Sequence, residues 1–275
     1  MAGWVDLTGE LDRWAAAGGV ADFWWRDDDV VAPTPALDRL LRCADGVPLA
    51  LAAVPCDVEE DLAGRLEGEP GIAVFQHGWR HRDHARGAGC SEYPAGRLKA
   101  LVLQEFCHGR IQLESLFGAR ALPVFVPPWH GFDAGYMPLL HEAGIVGFSA
   151  KGARTRANVQ ALECVNIHCA PIEWTGTPSF GEDGTYLAQI CEHLKGRRLG
   201  LFDFREPTGI LTHHLVQDDR SYRFLARLSE CIQSHPAARW LAIDAVFPRA
   251  GARAHRVAAN GPAFDTVDAL SRFSA

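Results

Sequence analysis

Hydrophobic and polar positions alternate along the chain in a repeated rhythm of apolar run, polar turn and helical stretch. Trp4, Leu7, Leu11 and Trp14 recur at helical spacing until Gly18-Gly19 ends the stretch. Val20 to Trp25 is apolar and predicts a strand that runs into Arg26-Asp27-Asp28-Asp29. Further strands are predicted at Val47–Val54, Ile72–Gln76, Leu122–Val126, Ile145–Ser149, Gly209–Leu215 and Trp240–Ile243, with an alternating segment at Val165–Glu173. Helical patterns fall between them at Pro35–Arg42, Val58–Leu66, Arg97–Phe117, Tyr136–Glu142, Tyr186–Leu194 and Tyr222–Ile232. Strands alternating with helices predict βαβ units and an α/β fold. About seven such strands suit one (β/α) barrel better than two open sheets, so residues 1–250 read as a single-domain barrel. Residues 251–275, weakly apolar until Val267 and Leu270, read as a loosely attached tail.

Composition narrows what such a barrel does. With 48% hydrophobic and 22% charged residues the chain is no disordered segment. Its 27 basic and 34 acidic side chains give a net charge of −7, which excludes the basic stripe a nucleic-acid binder needs. No run of about 18 apolar residues predicts a membrane span, and the first residues lack the basic and apolar regions of a secretion signal, so the expected setting is cytoplasmic. The eight cysteines show no Cys-x-x-Cys spacing and read as reduced thiols. The 12 histidines are the feature to follow, because imidazole is both a common metal ligand and a common general acid or base.

In a parallel barrel the C-terminal ends of the strands face the active site, so polar groups that terminate apolar runs are the candidates. Asp27, Asp28 and Asp29 repel one another unless a cation sits among them. A helix cap needs one aspartate and not three, which favours a metal or acid/base role. The next such end is His77-Gly78-Trp79-Arg80-His81, whose i, i+4 histidines would share one face if the segment were helical, with His84 on the rim. Phe125-Val126-Pro127-Pro128-Trp129-His130 is a stiff loop whose Pro128 and Trp129 offer a wall to a sugar or other flat ligand. Leu211-Thr212 leads into His213-His214, and only one of the pair can look into a barrel, since neighbouring strand side chains alternate. Trp79 and Trp174 are further candidate walls, whereas Trp24 and Trp25 are expected in the core.

In this order, across Val20 to Ile243, the motifs resemble the polysaccharide deacetylase (NodB-homology) family of metal-dependent deacetylases. The resemblance implies a distorted (β/α)7-type barrel. Its first motif, an Asp-Asp pair, fits two registers here: Asp28 as catalytic base with Asp29 as metal ligand, or Asp27 and Asp28 in those roles. The second motif implies His77 and His81 as the other protein ligands. In the third motif the family has arginine before the proline, orienting the catalytic aspartate; Val126 stands there in this chain, and Arg26 is the candidate replacement. The fourth is similar to Glu173-Trp174, with Glu where Asp is usual, and the fifth, Leu-x-His, implies His213 as general acid with His214 as the register alternative. A divalent metal is implied, zinc first, with cobalt, nickel or iron suited to the same donors.

The expected activity is therefore hydrolysis of an N-acyl, foremost N-acetyl, bond in an amino-sugar-containing or related substrate. Two rivals stand beside it. One is a cytoplasmic hydrolase of a small linear or cyclic amide, favoured by the missing secretion signal. The other is an inactive glycan-binding barrel, favoured by the departures at Val126 and Glu173.

Overall fold

The longest strand, β1 (Ala21–Val30), lies inside the sheet of the computed structural model, which describes residues 2–260. Helix α1 (Trp4–Ala16) precedes it, and α2 (Pro35–Ala44), β2 (Leu49–Ala53), α3 (Asp61–Leu66), β3 (Ile72–His77), α4 (Lys99–Phe117), β4 (Ala121–Val126), α5 (Met137–Glu142) and β5 (Gly147–Phe148) follow. The second half holds β6 (Asn158–Val159), β7 (Leu162–Cys164), α6 (Asp183–Arg198), β8 (Thr208–Thr212), α7 (Asp219–Ser234), β9 (Ala238–Trp240), α8 (Ile243–Val246) and α9 (Pro248–Asn260). Local chemistry sets the ends of these elements. The Thr34 hydroxyl, for instance, accepts the Leu37 N–H at 3.1 Å with Pro35 in the first turn, and Asp45 at φ 43° closes α2.

The strands form one sheet in the order β6-β7-β5-β4-β3-β2-β1-β8, parallel except for β6 with β7, and β9 pairs with the start of β1. The sheet curls, and its two sides meet irregularly: Cys169, beyond β7, bridges Ile210 of β8. This is the distorted α/β barrel that the alternation of elements predicts.

Side-chain parity on β1 decides where everything else points. Phe23 and Trp25 pack in the outer core beneath the helices, with Leu49 and Leu51 of β2. Trp24 packs in the inner core with Ala50, Ala52, Phe75 and Val124. Successive strand residues face opposite sides, so Arg26 and Asp28 share the inner face with Trp24, and Asp27 shares the outer one with Trp25. Both tryptophans are buried core residues, as expected.

The structure departs from the pattern reading at identifiable places. β1 does not stop at Trp25 but continues through the aspartates, because the Asp27 and Asp28 carboxylates find buried partners and the ladders to β2 and β8 persist to Asp27. The His-x-x-x-His segment is not helical: His77 is the last residue of β3 and His81 lies in the following loop at φ 52°. Val165–Glu173 supplies bridges rather than a strand. The expected loose tail is, as far as Asn260, helix α9; its Ala250 and Ala254 are buried in the inner core with Phe247. Residues 261–275 lie outside the described part.

Candidate active site

Strand ends and loops of the inner face surround a cavity of about 440 Å³ lined by Asp28, Asp29, His77, His81, Trp129, His130, Lys151, Glu173, Trp174 and His213, with Thr185, Tyr186 and Gln189 of α6 closing one side. Asp29 is where β1 twists out of regular pairing: the register with β2 shifts between Asp27 and Val30, and Asp29 takes φ 69°. The distortion breaks strict alternation and lets Asp28 and Asp29 enter one cavity.

Asp29 Oδ1 lies 3.2 Å from Nε2 of both His77 and His81. It is buried and accepts no hydrogen bond. His77 Nδ1 is 3.1 Å from the Val126 carbonyl, to which it donates, leaving the Nε2 lone pair free to face Asp29. Val126, which stands where the resemblance leads one to expect arginine, thus still fixes the tautomer of a candidate ligand through its backbone. His81 is placed by its loop. The buried Glu92 carboxylate accepts the N–H groups of Trp79 at 3.1 Å and Arg80 at 2.8 Å. Gly78 makes the turn at φ 62°, where a Cβ would come within 1.9 Å of that same carboxylate. The Trp129 ring then covers His81 at 4.2 Å between centroids.

Two imidazoles facing the orphaned buried oxygen of one carboxylate make a donor set that could hold a divalent metal with open positions. The electrostatics agree. Burial would raise the Asp29 carboxyl, but His77 and then His81 hold it far below the usual carboxylate range. Burial would likewise depress His77, yet the Asp28 and Asp29 charges raise it. The site is anionic and favours a cation.

Asp28 belongs to a different network. Arg26, fully buried, grips it with two bonds, Nε to Oδ1 at 2.8 Å and Nη2 to Oδ2 at 3.1 Å, while Arg26 Nη1 donates to Ser149 Oγ at 2.5 Å. Burial alone would raise the Asp28 carboxyl; Arg26, ahead of His77, overrides it and keeps the group ionised.

Asp27 points away from the cavity. It accepts from the Thr212 hydroxyl at 2.6 Å and the His214 N–H at 3.0 Å, and lies 2.6 Å from His214 Nδ1. Burial opposes protonation of His214, and the Asp27 charge reverses that and raises it. Asp27 and His214 are therefore a buried pair outside the cavity, and the register that brings residues together is Asp28 with Asp29, and His213 rather than His214. His213 stands edge-on to Trp174 at 4.8 Å. Glu173 and Trp174 are exposed lining residues, Pro128 is buried behind the wall, and Trp79 packs by His108.

Several residues here escaped sequence reasoning. Ser149 and Lys151 follow β5 at alternate positions, and parity at that strand end is the signal that could have found them. His130 carries no sequence signal beyond its loop, yet its Nδ1 is buried without a partner, and burial, then Arg26, depress its pKa to about 3. Thr185, Tyr186 and Gln189 arrive on a helix from far along the chain and carry no local signal.

A second group, His168, His193 and Glu206, resembles the first only in composition. The two rings stack at 3.3 Å, and Nε2 of each faces Glu206 Oε2, at 3.5 and 3.8 Å. His168 Nδ1, however, accepts the Gly209 N–H at 2.9 Å, so the neutral ring carries its proton on Nε2, the atom that would have to bind a metal. His77 has the opposite tautomer. Glu206 instead accepts the N–H groups of Arg154 at 2.8 Å and Asn166 at 3.0 Å, tying together the irregular seam of the barrel.

No family model matches the chain, and no curated protein matches it by sequence. Solved structures do share its fold. A candidate polysaccharide deacetylase from Mycobacterium smegmatis superposes with a TM-score of 0.59 at 11% identity, over 86% of this chain and 92% of that one. A family 4 acetyl xylan esterase from Clostridium thermocellum, in complex with a cobalt ion, gives 0.52 at 14% identity over 83% and 91%. The chitin deacetylase of the fungal pathogen Colletotrichum lindemuthianum gives 0.50 at 13% identity over 83% and 88%. The fold is that of the polysaccharide deacetylases, as the order of the motifs implied.

Proposed function

We propose that the protein is a metal-dependent hydrolase that removes an N-acyl group, foremost N-acetyl, from an amino-sugar-containing substrate. The observation that carries this reading is the convergence of His77 and His81 on the orphaned Oδ1 of Asp29, beside an Arg26-held Asp28 in the same cavity. The structures that share the fold support it: one is described as a chitin deacetylase and another holds cobalt.

Asp29, His77 and His81 would hold the divalent ion, zinc being the first choice and cobalt, nickel or iron suited to the same donors. Such an ion acts as a Lewis acid toward a carbonyl oxygen and makes water acidic enough to attack near neutral pH. Asp28 is the base that takes a proton from the attacking water. It is kept ionised and aimed by Arg26, so the arginine positions the base without touching substrate. His213 delivers a proton to the departing nitrogen, without which the amine is too poor a leaving group. Trp129 and Trp174, both partly exposed, flank the sugar ring.

The test is acetate release from N-acetylated amino sugars and chitooligosaccharides by the zinc-loaded protein, beside Asp28→Asn. Release that requires the ion and is lost in the variant supports the proposal. An ion-loaded protein that cleaves small cyclic amides instead would move the substrate class and keep the chemistry.

A further inference from the structure

Lys151 is a charged lining residue of the cavity that the proposed chemistry leaves unused, as it leaves Glu173. It forms no ion pair within 4 Å among the described residues, although the same cavity contains Asp28, Asp29 and Glu173. Its direction is set by the strand it follows. Ser149 turns its hydroxyl inward to Arg26, and Lys151, two residues on, projects from the same face. The backbone there is fixed by a bridge between Lys151 and Ile167, with Gly152 N donating to the Ile167 carbonyl at 2.8 Å.

The charges around it do not cancel. Arg26 neutralises Asp28, a divalent ion more than neutralises Asp29, and Glu173 offsets only one of the remaining positive charges. With the ion in place the cavity is net positive, and Lys151 is its accessible cation, since Arg26 is fully buried and committed to Asp28 and Ser149. A further uncommitted polar group of the lining, the buried Nδ1 of His130, adds a hydrogen-bonding atom to the same cavity.

We infer that the substrate carries an anionic group, a carboxylate or phosphate, on the amino sugar, and that Lys151 is the residue that receives it. This rests on the hydrolase reading for the sugar but not for the charge preference, which is a property of binding. A charge-assisted hydrogen bond from the exposed Lys151 sets the scale at about tenfold in affinity.

Calorimetric binding of glucosamine, glucosamine 6-phosphate and muramic acid to the zinc-loaded protein tests it, with Lys151→Met, Lys151→Glu and Lys151→Arg alongside. The two anionic amines separate a phosphate from a carboxylate preference. The wild type should bind one of them about tenfold more tightly than glucosamine. Lys151→Met should lose that preference, Lys151→Glu should reverse it and Lys151→Arg should keep it. Equal or undetectable binding of all three amines, or a preference that survives in Lys151→Met, overturns the inference. Acetate release from the N-acetylated forms is measured in parallel: a charge preference in binding with no release from any of them would overturn the hydrolase reading and leave the anion site standing.

Discussion

Three consecutive aspartates have three different surroundings here, and on the proposed reading each substitution should fail in its own way. Asp29→Asn should lose the metal. Asp28→Asn should keep the metal and lose turnover by two orders of magnitude or more, the ~10²–10⁴ that a general base contributes. Asp27→Asn should keep the metal but lose about 3 kcal/mol of stability, because it leaves His214 buried without its counter-charge. Metal content, kinetics and denaturant melts on the three variants read these outcomes, and metal loss in Asp28→Asn would restore the other register. Arg26→Met should lower turnover by about 10- to 100-fold with metal retained, the effect of freeing a positioned group; unchanged turnover would remove Arg26 from the account. The aspartate assignment was only half legible in the sequence. Three carboxylates at a strand end announced chemistry, but which of them faces inward depends on β1 running on to Val30 and distorting at Asp29, a consequence of pairing with β2 that no local pattern contains.

Among the elements, the regular parts of β1 to β4 could be read from apolar runs, because a strand covered on both faces needs nothing else. The loops could not. His77 and His81 came out as a pair from spacing, yet they meet through a glycine turn anchored on Glu92 rather than along a helix, and Glu92 gave no sign of that role. The seam near β8 was equally silent, since Glu206, His168 and His193 are distant in sequence. It makes a pH prediction. Burial, first among the causes, lowers His193 from its ordinary 6.5 to about 4, so the unfolded chain binds a proton there that the folded chain refuses. Burial would raise Glu206, but His168 and then His193 bring it down to about 2 from 4.5, so the unfolded chain again binds the proton first. Both groups make stability fall with falling pH, His193 between about 6.5 and 4 and Glu206 between about 4.5 and 2. Urea midpoints from pH 7 downward should show this slope, and Glu206→Gln should flatten its lower part; a slope unchanged in Glu206→Gln would assign it elsewhere.

At the scale of the whole molecule, α9 is part of the barrel. It packs near the turn at Gly118–Arg120 that leads into β4, at the opposite end from the candidate active site, and Ala250 is completely buried there. Its sequence looked like surface because small alanines fill the space and give no strong apolar signal. Ala250→Asp should therefore cost about 3 kcal/mol in urea unfolding, the penalty of an unpaired buried charge; a loosely attached tail would show no change. No helix among the described residues is long and apolar enough to cross a membrane. What makes the molecule more than a barrel is the convergence of strand ends distant in sequence on one cavity, and its chemistry is most directly read by acetate release from an N-acetylated amino sugar before and after removal and restoration of the ion. Release should stop on chelation, return with zinc or cobalt, and not return in Asp28→Asn loaded with the same ion. An ion-loaded wild-type protein that releases no acetate, or an Asp28→Asn protein that releases it as fast as the wild type, would contradict the proposed function.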